Sequence, residues 1–150
     1  MDVKLINPFL ESFNTIMPQL GFQTEKGEIL LKDKINGAGI AITVGITGDI
    51  KGNVIYIMEE EGAKKVASQM MMGMPVDELN DMAQSAISEL SNMLTANASM
   101  NYSNQGLTTD ISTPVLVMGK DINIKVNTKE IICINMIAND ITIAINISIE

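Results

Sequence analysis

Between Asp81 and Asp110 the chain carries one charged side chain, Glu89, followed at a spacing of three by an amide, Asn92. On an α-helix such positions are surface neighbours, roughly 5–6 Å apart at Cβ. The carboxylate can pair with a cation, and the amide can both donate and accept hydrogen bonds without titrating. Acids on ordinary exposed helices are neutralised by basic residues three or four positions away. Glu89 has no basic residue at those positions, so its charge is available to a partner.

Wheel arithmetic at roughly 100° per residue places the pair. Leu79, Met82, Ala83, Ala86, Ile87, Leu90, Met93 and Leu94 fall in one apolar arc, expected to face a core. Ser85, Glu89, Asn92 and Ala96 form a ridge on the other side, flanked by the small, uncharged Ser88, Ser91 and Thr95. Small flanks would let another protein's backbone come close. Asp77 and Glu78 suit a helix start, and the pattern predicts a helix to about Met100, before Gly106. The competing reading is a solvated face that happens to be rich in serine.

The rest of the composition narrows the chemistry. The 150 residues, 46% hydrophobic, suit one globular domain spanning 1–150. A net charge of −8 opposes binding to a phosphate backbone, so no nucleic acid is expected. No apolar run is long enough to span a bilayer, and Glu11 and Pro18 interrupt the segment where a signal peptide needs continuity. A cytoplasmic protein without membrane contact is the expectation. The single Cys133 lies in the apolar run Ile131–Ile134 and reads as an inert buried thiol. With no His and no Arg, Ser-His and Cys-His nucleophiles, nearly all catalytic zinc sites and bidentate phosphate clamps are excluded. Chemistry on this chain would borrow parts from another molecule.

Asn7–Leu20 reads as a short amphipathic helix stopped by Gly21. Strands are expected at Glu28–Lys34, Gly39–Thr47 and Asn53–Met58, the last two forming a hairpin, and Glu60–Met72 as a second helix closed by Gly73 and Pro75. After Pro114, strands are expected at Val115–Met118, Ile122–Val126, Ile131–Ala138 and Ile141–Ile149. The last alternates Ile141, Ile143, Ile145, Ile147 and Ile149 with small or polar residues, committing one face to a core. The order of helices and strands predicts an α+β fold: antiparallel-rich sheet, helices on one face, two similar halves.

The segment Ser85-Ala86-Ile87-Ser88-Glu89-Leu90-Ser91-Asn92-Met93, with Pro114 about twenty residues on, resembles the active-site signature of the CheC, CheX and FliY chemotaxis phosphatases, the CheX branch most closely. The hairpin stretch Val44–Tyr56 and Met70–Met74 are similar to the same family, so the resemblance spans most of the chain. It implies a CheC-like fold and hydrolysis of the aspartyl phosphate on the response regulator CheY. Glu89 would contact the regulator's active-site lysine, and Asn92 would orient the attacking water. Ser85, Ser88, Ala96 and Pro114 would border the contact. The resemblance further implies no cofactor or metal on this chain, magnesium on the phosphorylated regulator, and a homodimer paired through its sheets. The alternative it permits is a non-catalytic module docking on a regulator or on the flagellar switch.

Other features read more plainly. A second Glu-x-x-Asn, Glu11 and Asn14, lacks a Ser or Asp four residues upstream, and Pro18 is expected to cut its helix short, so it reads as a solvated face. Gly45, Gly48 and Gly52 lack the Lys-Ser or Lys-Thr of a phosphate loop and read as turn glycines. Met70–Met74 reads as core filling, and Glu59–Glu61 as acids at a helix start.

Overall fold

A computed structural model describes residues 3–128 and 130–150. In chain order the elements are α1 (Val3–Gln19), β1 (Thr24–Lys32), β2 (Ile35–Gly48), β3 (Gly52–Met58), α2 (Glu60–Met70), α3 (Asp81–Ser103), β4 (Thr109–Ile111), β5 (Val115–Ile124), β6 (Ile131–Ala138) and β7 (Ile141–Ile149). All strands join one antiparallel sheet in the order β1-β6-β7-β3-β2-β4, with β5 beside β4 along β2. This is the α+β architecture that the pattern implied.

The halves are interlocked. The hairpins β2–β3 and β6–β7 meet where β3 pairs β7, Tyr56 opposite Ile145. Each hairpin takes its outer strand from the other half: β1 pairs β6, and β5 pairs β2. The resulting plan is an approximate two-fold about the β3–β7 seam, with α1 and α3 as corresponding helices.

Period-two alternation decides the faces. Ile40, Ile42, Val44 and Ile46 of β2, Val54, Tyr56 and Met58 of β3 and the isoleucines of β7 join all three helices in the main core. The reverse face is not bare. Ile35, Ala41, Ile55, Ile57, Ile122 and Ile131 form a smaller cluster, and Val126 packs against it. Asn146 and Ser148 are buried there, the amide donating to Ile55 O at 3.2 Å and the hydroxyl meeting Thr128 Oγ1 at 2.6 Å.

Several boundaries differ from expectation. β1 lies earlier, because its pairing with β6 runs from Thr24 to Lys32. β5 is one strand where two were expected, its irregularity absorbed opposite Gly37–Gly39. The short β4 had no apolar alternation to announce it; Ile46–Gly48 supply its partner. Pro18 lies in the last turn of α1 and does not shorten it before Gln19. Met72 and Met74 lie outside the core, 98% and 55% exposed, because the chain leaves α2 through a left-handed turn at Met72 and Gly73.

Helix α3 starts at Asp81, after Asp77 and Glu78, because Asn80 caps it: its Oδ1 accepts from Ala83 N at 2.9 Å. Its buried stripe is Ala83, Ile87, Leu90, Ser91, Leu94, Thr95, Ala98 and Tyr102. Ser91 and Thr95 thus belong to the core side, a correction to their expected place beside the ridge. Their hydroxyls are satisfied: Ser91 donates to Ile87 O at 3.1 Å and Thr95 to Ser91 O at 2.8 Å. Thr95 Oγ1 also meets Tyr56 OH from β3 at 2.9 Å. Since the threonine proton goes to the Ser91 carbonyl, the tyrosine donates. Burial holds this phenol well above its ordinary pKa, so the donor proton stays in place.

On its other flank α3 is tied to α1. Ser12 donates to Leu94 O, Tyr102 to Leu5 O, and Asn101 to Pro8 O at 3.0 Å. Phe9 packs edge-on against Tyr102, centroids 6.0 Å apart. Tyr56→Phe removes the polar tie from α3 to the centre of the sheet while keeping the ring. We expect a loss of about 1 kcal/mol in urea unfolding with the spectrum of the native state retained; an unchanged midpoint would show that this hydrogen bond does not seat the helix.

Candidate functional site

The ridge opposite the buried stripe faces solvent. Ser85 and Glu89 are exposed, and Ser88, Asn92 and Ala96 are half-buried. From Ser85 to Ala96 it runs about 16 Å at the helical rise. Glu89 has no hydrogen bond or ion pair with any described residue, and α3 contains no Lys. Asn92 likewise bonds to none, and no buried side-chain polar atom among the described residues lacks a partner, so its amide is open to water. The acid and the amide are therefore uncommitted neighbours.

Asn92 stands on the side of the ridge that leads to the sheet edge. Two turns on, Ser99 meets Thr109 Oγ1 of β4 at 2.5 Å, and α3 packs along both β4 and β5. The link between those strands is tied to β2: Ser112 N donates to Gly45 O at 2.9 Å, and Ser112 Oγ accepts from Gly45 N at 2.7 Å. Pro114 follows in that link, half-buried, on an element adjoining α3 but outside its ridge. Of the expected residues, Ser85, Ser88, Glu89, Asn92 and Ala96 share one helix, and Pro114 lies apart from them in the link between β4 and β5.

Wheel reasoning missed a further feature. Met82, assigned to the core arc, is 61% exposed, and Met100 is 65% exposed. They lie seven residues before and eleven after Glu89, on its side of the helix, and Met93 is half-buried four after it. On the wheel Met82 falls at the edge of the apolar arc, only about 20° from Glu89, and that closeness was the signal for its exposure.

The site's shape bears on its chemistry. Among the described residues, four of the better-formed hollows are shallow, about 420–500 Å³ each, and none of these four is lined by Glu89 or Asn92. A convex ridge cannot surround a small substrate; it can enter the concavity of another macromolecule. Nor is the thiol a nucleophile: Cys133 is buried in the sheet, and burial pushes its pKa up. In the other half, Glu11 and Asn14 are exposed, but Asn14 Oδ1 accepts from Thr24 Oγ1 at 3.3 Å. The oxygen of that amide thus has a partner on its own chain, which Asn92 lacks among the described residues.

Comparison with known proteins identifies the family and the fold. Residues 40–140 match the family described as chemotaxis phosphatase CheX. The chain is 38% identical over 127 residues to the CheY-P phosphatase CheX of Thermotoga maritima, covering 83% of this chain and 82% of that one. Among solved structures, the chemotaxis protein CheX from Vibrio vulnificus superposes with a TM-score of 0.85 at 25% identity, covering 97% of this chain and 99% of that one. A chain of the CheX-CheY-BeF3-Mg2+ complex from Borrelia burgdorferi does so at 0.77 and 25%, covering 97% of each. With the sheet, the helix order and the sequence match in agreement, the chain belongs to the CheX family of chemotaxis phosphatases.

Proposed function

We propose that this protein hydrolyses the aspartyl phosphate of a CheY-type response regulator, with Glu89 docking on the regulator's active-site lysine and Asn92 holding the attacking water. The observation that carries this reading is the pairing of an unpartnered carboxylate with a solvent-open amide on one convex ridge. The CheX-CheY complex of the Borrelia relative supports the choice of partner.

The chemistry asks little of the chain. An acyl phosphate is already reactive, so holding water in line with the scissile P–O bond supplies much of the missing catalysis. The water oxygen attacks phosphorus, the aspartyl carboxylate leaves, and inorganic phosphate is released. An amide suits the post because it orients water through both donor and acceptor at any physiological pH. Magnesium belongs to the regulator, where it screens the phosphoryl oxygens. Ser85, Ser88 and Ala96 keep the approach low, and Pro114 borders it.

The same reading places the protein in the cytoplasm beside its substrate, as a homodimer. Both open sheet edges carry exposed apolar residues, Ile29, Leu30 and Leu31 on β1 and Val115, Val117 and Met118 on β5, and either can extend the sheet. Sedimentation equilibrium should give twice 16.2 kDa; a monomer at micromolar concentration would refute the pairing.

With regulator phosphorylated by acetyl phosphate in magnesium, the protein should accelerate phosphate release. Asn92→Ala should lower kcat by about 100-fold or more while binding is largely kept. Glu89→Ala should chiefly raise KM, roughly tenfold or more, through loss of a charge-assisted contact. Binding without any turnover by the unsubstituted protein would instead identify a docking module.

A further inference from the structure

Met82 and Met100 stand about 27 Å apart along α3, one on each side of the acid and the amide. By the helical rise, Met82 lies about 10 Å before Glu89 and Met100 about 12 Å after Asn92. Both are more than half exposed, at 61% and 65%, with Met93 half-buried between them. Thioether side chains are flexible and polarisable, so they adapt to a protein surface that a branched side chain would fit in only one way.

Charge selects what covers this strip. A second copy placed across the ridge in a two-fold contact would set Glu89 against its own counterpart in a drying interface, with no Lys on α3 to relieve it. An anionic membrane surface is opposed by the net charge of −8. A partner that suits the strip offers one cation bordered by apolar surface.

Resting on the function proposed for Glu89 and Asn92, we infer that Met82 and Met100 are the two ends of the docking footprint, gripping the phosphorylated regulator on either side of its lysine and setting how tightly a given regulator is held. They touch neither phosphoryl group nor water, so their contribution lies in affinity and partner choice, not in the hydrolytic step.

Two measurements on the full chain decide it. The double variant Met82→Gln, Met100→Gln should raise KM for acetyl-phosphate-phosphorylated CheY-type regulator about fivefold or more, with kcat within about twofold and thermal unfolding unchanged. An unchanged KM overturns the inference. Peroxide oxidation read by mass spectrometry should show Met82 and Met100 protected by the magnesium–beryllofluoride form of the regulator, while Met72, 98% exposed on the loop after α2, oxidises as before. Equal oxidation of all three in the complex also overturns it. Protection without turnover would keep the footprint and remove the phosphatase reading; turnover without protection would do the reverse.

Discussion

The structure turns on how one helix is seated. α3 rests on the sheet through Ile87, Leu90 and Leu94, but apolar contact alone leaves rotation about its axis weakly specified. Directional bonds fix it. Tyr56 reaches up from the central strand β3 to Thr95, Ser12 of α1 reaches the Leu94 carbonyl, and Asn80 fixes the first turn. Leu94 and Thr95 follow Asn92 within one turn, so the tie from α1 and the tie from the sheet both act next to the place where the amide is presented. A rotation of one residue step, roughly 100°, would take Glu89 from solvent to a flank.

This seating explains the use of such an uncharged helix. A long basic side chain beside Glu89 would neutralise it, and bulky flanks would hold a partner's backbone away. The ridge keeps one acid, one amide and small neighbours, with no His, Cys or Lys to serve as base or nucleophile, and the described residues hold no cluster of three or more His, Cys, Asp or Glu that could bind a metal. In the proposed reaction those parts reside on the phosphorylated regulator, and the chain contributes the position of one water. Holding that position calls for a stiff support. The two halves exchange outer strands across the β3–β7 seam, so the platform under α3 belongs to both.

Much of this was legible in the residues because it is local. The isoleucine alternation of β7 and the glycine turn between β2 and β3 gave the hairpins, and the isolation of Glu89 gave the ridge. What escaped is set by distant partners. Ser91 and Thr95 read as surface residues on a wheel, yet they are buried because helix carbonyls and a tyrosine from β3 satisfy them. β4 exists through its pairing with β2, and β1 lies where β6 lets it pair. Met82 read as core because it falls within the apolar arc on the wheel, but it stands at the edge of that arc, roughly 20° from Glu89, and is exposed. Pro114 could be singled out by resemblance alone; the link that carries it is held by the Ser112–Gly45 bonds, which join residues far apart in the chain.

The central claim is that the Asn92 carboxamide enters the regulator's phosphoryl pocket. Side-chain amide resonances of Asn92, assigned by their loss in Asn92→Ala, report on this directly when the magnesium–beryllofluoride regulator is added. They should shift and become protected from solvent exchange, ahead of Asn14 on the corresponding helix. Resonances that keep their free positions and exchange rates in the saturated complex would contradict it.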